Sequence, residues 1–465
     1  MDSPSLISAF LQAMAAQPGE GAPAGFDAGR LEVTGSGSLP SAFAVTELAV
    51  AAIGSAALAM TEYMNMCFGR RPPATVDRRL ASFWFHTSLR PQGWVLPDAR
   101  DPVTGDYRTR DGWIRLHANM PPHRAAELRV LGVEPEPQTL RRAISTWDAL
   151  ALETAIVQAG GCAAMMRTQE EWARHPQGLA VSGEPLFHYE QGGRGLADEL
   201  RGTLARPLAG LKVLDLTRVL AGPVSTRFLA AYGAQVLRID PPFWVEPGMV
   251  PEVILGKRCA LLDFRDPAQW ERFKSLLGEA DVLVHGYRPD ALERLGLGAQ
   301  ARQRIRPGLV DVCLDAYGWT GPWSGRRGFD SLVQMSNGFA HTGMQRFGTD
   351  RPTPLPVQAL DQATGYLMAA AVLRGLTRRR AVGQGSTTRL SLARTAVLLA
   401  SLPGPGAVDE LGPETPQDCC AEVERTAWGP AHRLKPPCEI QGAPMQWDYP
   451  ACALRSSSAQ WLPAG

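Results

Sequence analysis

The stretch KVLDLTRVLAGPVSTRFLAAYGAQVLRID, residues 212–240, determines the fold predicted for this chain. Its first five residues are apolar enough for a buried strand, and Gly222-Pro223 marks a turn from strand to helix. A helix follows to about residue 232, and residues 233–240 form the next predicted strand. The segment is therefore predicted to be a β-α-β unit, in which a helix joins two parallel strands.

The same alternation continues along the chain, with predicted strands at 281–284 and 309–314 and a helix at about 267–278. Alternating strands and helices predict an α/β fold whose mostly parallel sheet is covered on both faces. Ligands of such sheets bind beyond the carboxyl ends of the strands, so we expect the site there. A dinucleotide-dependent dehydrogenase is a weak alternative, because no G-x-G-x-x-G follows the first strand.

Composition and charge argue against several classes of protein. A length of 465 residues fits two or three domains, and 47 basic against 46 acidic residues give no sign of a nucleic-acid or acidic-membrane partner. The eight cysteines form neither a C-x-x-C pair nor a cluster with zinc spacing. With no recognisable signal peptide, this usage predicts a cytoplasmic protein without a metal site. The apolar stretch 43–60 contains Glu47 and Gly54, and we interpret it as a buried helix.

Asp361 stands in the segment RPTPLPVQALDQATG, just before an apolar helical run at 366–376. On local sequence alone it is interpreted as an N-cap, because aspartate is favoured where a helix begins. The same position suits chemistry, since helix-end N–H groups and the helix dipole stabilise negative charge there.

Six motifs in a fixed order resemble the class III CoA-transferases, the CaiB/BaiF or formyl-CoA-transferase family. They are residues 207–223, 256–263, 280–296, 317–322, 328–330 and 361–365. The resemblance implies a Rossmann-like core with a smaller α+β domain. It also implies that Asp361 is the nucleophile that attacks an acyl-CoA thioester and carries the covalent aspartyl intermediate. A carboxylate with an ordinary pKa of about 3.9 needs no separate base, and the start of the following helix is expected to donate N–H groups to the oxyanions.

Contacts with coenzyme A are also implied by the resemblance, with CoA and acyl-CoA as substrates and no permanently bound cofactor. The matching positions are Arg218, Ala221, Leu262, Asp263, Arg265, Gly286, Tyr287, Arg288, Arg294, Arg327 and Gly328. Arginine suits the CoA phosphates through forked, charge-assisted hydrogen bonds, although each arginine alone reads as a solvated surface residue. The sequence departs from the family after Asp240, where Pro241-Pro242 replaces a frequent basic residue.

The order of the parts departs from the family, whose core normally precedes the small domain. Residues 107–121 and 160–177 resemble the family's small domain, and residues 436–444 resemble a return segment that completes the core. We therefore predict a circularly permuted chain. Its parts are a lead-in (1–45), a small domain with a partial core repeat (46–184), a linker (185–206), the CoA-binding catalytic core (207–402) and a C-terminal return segment (403–465). A hairpin is predicted at 105–118, with helices at about 122–131, 138–145 and 148–160.

An internal repeat is a further hypothesis. Residues 46–85 parallel residues 361–398, with Ala49 or Val50 at the position of Asp361, which is typical of a tandem fusion. The alternative is that any two alanine-rich helices look alike. The resemblance implies a homodimer, and the rearranged order would also let one chain close on itself.

Three functions are weighed. CoA transfer between an acyl-CoA and a small carboxylic acid comes first. The alternatives are an α-methylacyl-CoA racemase of the same family, which lacks its acid/base histidine because Phe329 stands there, and an inactive acyl-CoA-binding protein. His285 and His341 are interpreted as structural. Trp113, Met335 and Met344 are candidates for the substrate pocket, and residues 192–195 are the nearest candidate for an active-site glycine loop.

Overall fold

The computed structural model describes residues 2–15, 26–98, 100–195, 201–246, 248–288, 290–406 and 409–463. The strands, in chain order, are β1 (Leu31–Thr34), β2 (Ala74–Asp77), β3 (Leu89–Pro91), β4 (Gly105–Arg108), β5 (Trp113–Leu116), β6 (Ala163–Met165), β7 (His188–Arg194), β8 (Lys212–Leu216), β9 (Gln235–Asp240), β10 (Lys257–Leu261), β11 (Val282–His285), β12 (Val310–Asp315), β13 (Gln384–Ser391), β14 (Cys419–Thr426), β15 (Gly429–Leu434) and β16 (Cys438–Ile440).

The helices, in chain order, are α1 (Ser3–Ala15), α2 (Val45–Phe68), α3 (Arg78–Trp84), α4 (Pro121–Leu131), α5 (Pro137–Ser145), α6 (Ala149–Gln158), α7 (Gln169–Arg174), α8 (Pro176–Ser182), α9 (Ala221–Ala231), α10 (Val250–Val253), α11 (Pro267–Glu279), α12 (Ala291–Arg294), α13 (Ala299–Ile305), α14 (Asp330–Ser336), α15 (Phe339–Phe347), α16 (Ala359–Val382) and α17 (Leu392–Ala400).

The largest sheet has seven strands in the order β10-β9-β8-β11-β12-β13-β7. Strands β8 to β13 are parallel, and β7 is antiparallel at the edge. The predicted α/β class with a mostly parallel sheet is confirmed. The strand order reverses between β8 and β11, which is where open α/β sheets form their ligand crevice at the carboxyl ends of the strands.

Two strands of this sheet were not predicted. Strand β13 reads QGSTTRLS, and its polar side chains gave no apolar signal, yet most of it is buried between its neighbours. Strand β7 lies inside the stretch 185–206 that we predicted to be a linker, so that interpretation is wrong for residues 188–194.

The candidate glycine loop at 192–195 is also wrong as an active-site element. Gln191 and Arg194 pair with Ser386 and Gln384, at the amino end of β13. A β-carbon on Gly192 would lie 2.8 Å from the backbone carbon of Gly385, so these glycines let two strands approach closely. They lie at the end of β13 opposite the one where a parallel sheet binds ligands.

Helices α2 and α16 pack against each other and contribute to the same main core. Helix α16 begins before the predicted run at 366–376 and extends beyond it. Helix α2 is the one described helix long and apolar enough to span a membrane, and 94% of its most apolar window is buried inside the protein. The sequence interpretation of this segment as a buried helix is therefore confirmed.

The small domain has its own core between the β4-β5-β6 sheet and the helices α4, α5 and α6. The hairpin predicted at 105–118 is confirmed, with β4 and β5 paired antiparallel. Its helices match the three predicted ranges within about two residues, a normal disagreement at helix ends.

The C-terminal segment joins the N-terminal part of the chain. Strand β16, in the predicted return segment, pairs antiparallel with β2, and β1 pairs parallel with β2 on its other side. The hairpin of β14 and β15 adds to β3. The return segment therefore completes a three-stranded N-terminal sheet, whereas β7 completes the main sheet.

Candidate functional site

Asp361 lies inside the first turn of α16, because the helix begins two residues earlier at Ala359. The residue before the helix, Gln358, is the N-cap and makes no side-chain capping hydrogen bond. The N-cap interpretation of Asp361 is therefore wrong. Its side chain is buried, with 6% of the residue exposed.

Asp330 holds the backbone of Asp361. The N–H of Asp361 donates to Asp330 Oδ2 at 2.9 Å, and the Gln334 side-chain amide donates to Asp330 Oδ1. Gln334 Oε1 in turn accepts the N–H of Leu355 at 2.7 Å. This chain of bonds fixes the first turn of α16 against the start of α14 and places two carboxyl groups in one buried site.

Both carboxyl groups have raised pKa values. Burial raises the pKa of Asp361 well above its ordinary value, and the charges of Asp330 and Glu246 raise it further. Burial raises the pKa of Asp330 to about 6, although hydrogen bonds from Asp361 and Gln334 oppose that rise. The prediction of an unperturbed, freely ionised aspartate is therefore wrong, because an uncharged carboxyl is favoured where water is excluded and a like charge is close.

The N–H groups at the start of α16 are already used. Ala359 donates to the Val357 carbonyl at 2.8 Å, and Gln362 donates to the Gln358 carbonyl at 3.0 Å. The N–H groups of Leu360 and Asp361 serve Asp330. The expectation that this helix start donates to an oxyanion is therefore not met in this arrangement.

The implied CoA-contact residues follow the carboxyl ends of four strands of the main sheet along the chain. Arg218 and Ala221 follow β8, and the other implied contacts follow β10, β11 and β12 in the same way. Those others are Leu262, Asp263 and Arg265 after β10, Gly286, Tyr287, Arg288 and Arg294 after β11, and Arg327 and Gly328 after β12. The carboxyl ends of parallel strands meet at the same edge, so the fold brings these positions to the side expected for a ligand. Their contact with CoA stays a prediction.

Arg218 is tied into the sheet edge. Its guanidinium donates to the carbonyls of Thr217 at 2.8 Å and Ile239 at 3.0 Å, and its Nε lies 3.3 Å from Asp240 Oδ1. The next residue, Val219, has a φ of 64°, a costly left-handed conformation for a β-branched residue. Such strain is typical of functional turns that the surrounding structure holds in place.

The remaining arginines differ in their surroundings. Arg265 pairs with Asp263 at 2.7 Å and Arg294 pairs with Asp290, and both arginine side chains are about 70% exposed. Arg288 is also exposed. Arg327 donates to the carbonyl of Gly160 at 3.0 Å, so it joins the segment before α14 to the small domain.

Helix α9 meets α16 one turn after Asp361. A β-carbon on Gly365 would lie 2.4 Å from the carbonyl oxygen of Ala221, and 2.8 Å from the β-carbon of Val224. Only glycine permits this approach. The turn that carries Arg218 and Ala221 is therefore held against the helix that carries Asp361.

Phe329, beside Asp330, is covered by the small domain. Its ring stacks on His117 with centroids 3.7 Å apart and meets His123 edge-on at 6.0 Å. Burial lowers the pKa of His117 to about 3 and that of His123 to about 4, so both rings are uncharged at neutral pH. No local pattern predicts this contact, because the histidines precede Phe329 by more than 200 residues.

The other candidates are divided between the site and the scaffold. Trp113 and Met335 lie in one apolar cluster that also includes Phe329, whereas Met344 lies outside it. His285 is buried at the end of β11, with Nε2 3.4 Å from Asp311 Oδ1. Asp330 and Glu246 were missed by the sequence interpretation. Asp330 ends one of the family motifs, and that was the signal available for it.

Part of the chain is similar to a known family. Residues 208–409 match the model described as CoA-transferase family III. An acyl-CoA transferase of Gibberella moniliformis is 29% identical over 64% of this chain and 56% of its own length. The human succinyl-CoA:glutarate CoA-transferase is 33% identical over 43% of this chain and 49% of its own length.

A solved structure of a CAIB/BAIF family protein from Brucella suis is also similar. It is 25% identical, covers 49% of this chain and 65% of that protein, and has a TM-score of 0.39. The chain spans about half the length of the curated relatives it matches. Over residues 208–409, this chain is similar to CoA-transferase family III.

Proposed function

We propose that this chain transfers CoA between an acyl-CoA and a small carboxylic acid through a covalent intermediate on Asp361. The observation that carries the proposal is the position of Asp361. It is a buried carboxyl beside a second carboxyl, on the helix that packs against the first turn of the predicted CoA-binding edge. Curated relatives named CoA-transferases support the reaction class.

The proposed cycle exchanges bonds without an oxidant or a reductant. The Asp361 carboxylate attacks the thioester carbonyl, the carbon–sulfur bond breaks, and CoA thiolate leaves a mixed anhydride. The thiolate then attacks the Asp361 carbonyl, which releases the first acid and forms an aspartyl-CoA thioester. The acceptor carboxylate repeats the two steps in reverse, so that CoA leaves on the acceptor and Asp361 returns to a carboxylate.

Ionisation of Asp361 is the step that the site controls. Because burial and the charge of Asp330 raise its pKa, the reactive carboxylate becomes more abundant as the pH rises. A desolvated carboxylate is also a stronger nucleophile than a hydrated one. In this proposal CoA is a substrate that binds at the carboxyl edge of the sheet, not a resident cofactor, and the protein works in the cytoplasm.

Proton exchange at an α-carbon is the weaker alternative. Phe329 has no proton to move, and the two imidazoles that contact it have pKa values too low for bases near pH 7. An inactive acyl-CoA-binding protein is the other alternative. The engagement of Arg218 with Asp240 favours it, because a phosphate would have to compete for that guanidinium.

Turnover with succinyl-CoA and glutarate, followed by mass spectrometry of both CoA esters, tests the proposal. The wild type is expected to form glutaryl-CoA and to lose activity when hydroxylamine is added together with succinyl-CoA. Asp361→Asn is expected to do neither, whereas the exposed control Asp350→Asn should behave as the wild type. If these donors and a wider panel of acyl-CoA esters gave no turnover but still bound, the inactive alternative would stand.

A further inference from the structure

Helices α2 and α16 are the same element in two places. Val45 and Ala359 begin a 24-residue helix, and Phe68 and Val382 end one, so the residue numbers differ by 314 at both ends. Matched helix lengths alone are a weak argument, since alanine-rich helices resemble each other.

The ends of the two helices agree in backbone geometry at the same spacing. The N-caps Ala44 and Gln358 have φ and ψ of −75° and 60°, and −76° and 65°. The C-caps Gly69 and Gly383 are both left-handed, and each donates its N–H to the carbonyl four residues earlier. Both N-caps lie outside the extended region typical of N-caps, and in each case the first helical N–H donates to the carbonyl two residues earlier at 2.8 Å.

The elements that follow keep the spacing of 314. Strand β2 ends at Asp77 and β13 ends at Ser391, and each of these residues caps the next helix by accepting the N–H three residues on. Each strand also has a parallel neighbour, with Thr34 opposite Asp77 and Asp315 opposite Ser391. The repeat therefore covers strand, helix, strand and helix without a gap after residue 44.

The two halves of the chain exchange their last strands. Strand β7 follows the small domain of the first half but pairs with β13 of the second half. Strand β16 ends the second half but pairs with β2 of the first half. Both exchanged strands are antiparallel at an edge, so each half completes the sheet of the other.

We infer that residues 31–84 are a second, degenerate copy of the segment from β12 to α17, and that one chain forms a self-contained assembly with one reactive carboxyl. In this register Glu47 is the counterpart of Asp361, and not Ala49 or Val50 as the sequence comparison had it. The inference deepens the proposed function and rests on it for the role of Asp361.

Arg78 forms a buried ion pair with Glu47, the residue that corresponds to Asp361. Its Nη2 lies 2.6 Å from Glu47 Oε1, both side chains are more than nine-tenths buried, and Arg78 also donates to the carbonyl of Gly37 at 2.8 Å. Leu392 stands at the matching position in the second copy. Arg78 also lines a cavity of about 640 Å³, together with residues of α1 and of the loop after β1. Glu47 is therefore neutralised by a cation, whereas none lies within ion-pair distance of Asp361 among the residues described.

The copy that contains Asp361 contacts the small domain of the same chain. Phe329 stacks on His117, Arg327 donates to Gly160, and Arg326 donates to the Ala163 carbonyl at 2.7 Å. These contacts cover the segment that leads into Asp330. A second chain is not required to complete the site.

Light scattering at assay concentration and activity during serial dilution test the inference, with succinyl-CoA as the donor. We expect light scattering to give the mass of one chain, and the activity per chain to stay constant on dilution. When hydroxylamine traps the intermediate, we expect one hydroxylamine adduct per chain, on the peptide that carries Asp361. Glu47→Gln should keep the activity and the adduct, since Glu47 takes no part in the reaction.

A dimer that persists at every concentration, or activity per chain that falls on dilution, would overturn the self-contained assembly. A hydroxylamine adduct on the Glu47 peptide would overturn the inference that Glu47 is unreactive. Loss of activity in Glu47→Gln, at a temperature where that variant is folded, would overturn it as well. A single-chain mass with no label on any peptide contradicts the proposed function instead, and leaves the self-contained assembly supported.

Discussion

Asp361 and Asp330 place two carboxyl groups in one buried site, and their burial affects both the chemistry of the site and the stability of the fold. Water exclusion and like charge favour the uncharged forms, which reduces the fraction of reactive carboxylate at low pH. The same effects destabilise the folded chain once the groups ionise. Functional sites commonly accept this cost where the chemistry needs a poised charge.

Asp330→Asn tests how far the charge of the second carboxyl raises the pKa of Asp361. The amide oxygen keeps an acceptor for the N–H of Asp361, while the negative charge disappears. We expect the pKa of Asp361 to fall, so that the acidic limb of the kcat–pH profile moves to lower pH. Thermal unfolding is the control for folding. If the variant folds and the acidic limb does not move, the charge of Asp330 does not affect the pKa of Asp361.

Asp361→Asn should change the pH dependence of stability. The folded chain holds a proton on Asp361 above the ordinary carboxyl pKa, so wild-type stability contributed by this group is lost as pH rises above about 4. The variant lacks that loss. We expect its Tm advantage over the wild type to grow between pH 4 and pH 8, measured by calorimetry. An advantage independent of pH would contradict the raised pKa.

At the level of elements, the approach of α9 to α16 positions the predicted CoA-binding turn beside the helix that carries Asp361. Gly365 permits this approach because a side chain there would collide with the Ala221 carbonyl. Since that neighbour is backbone, it moves only if α9 moves. The position of α9 relative to Asp361 is therefore sensitive to a single methyl group.

Gly365→Ala is expected to destabilise the chain by about 1–3 kcal/mol, the usual cost of overpacking, and to raise KM for the acyl-CoA. Gly278→Ala, near the end of α11, is the matched control. Its new β-carbon would meet nothing closer than 3.9 Å, so it should be neutral or stabilise by up to about 1 kcal/mol. Equal effects of the two substitutions in urea unfolding would argue against the close approach.

The sequence predicted the elements that have a local signal. The β-α-β unit at 212–240, the hairpin at 105–118 and the three small-domain helices each show apolar periodicity or turn residues. Strands β13 and β7 lack such a signal, because tertiary burial of polar residues overrides local pattern. The residues of the candidate site also fall into those that a local sequence motif predicts and those that it does not. Asp361 was found through its motif, whereas Asp330, Glu246 and the His117 stack depend on contacts between distant segments.

At the level of the molecule, one buried ion cluster joins the small domain to the segment before α14. Glu153 on α6 receives Arg167 at 2.5 Å and Arg326 at 3.0 Å, and all three side chains are at most 8% exposed. Burial works against a charged Glu153, but Arg167 and Arg326 outweigh it and lower its pKa. The cluster is therefore charged at neutral pH and its stabilisation is lost as acid protonates Glu153.

Glu153→Gln is expected to cost about 3–5 kcal/mol of stability, because two buried guanidinium groups lose their counter-charge. The activity of Glu153→Gln should also fall at temperatures where the small domain no longer packs against the segment before α14. Asp148→Asn, which removes an exposed partner of Arg110 at the start of the same helix, should leave unfolding unchanged. A Glu153→Gln chain as stable as the wild type in urea would show that the cluster does not hold the two parts together.

The transfer of oxygen into Asp361 tests covalent catalysis most directly. The second anhydride of each cycle leaves one carboxylate oxygen of the acceptor on the aspartate, because the thiolate attacks the acceptor carbonyl and the bridging oxygen stays on Asp361. With succinyl-CoA and glutarate labelled with oxygen-18, we predict that the peptide carrying Asp361 gains the heavy isotope during turnover, and that Asp361→Asn gains none. Turnover in which glutaryl-CoA forms while Asp361 stays unlabelled would contradict the account.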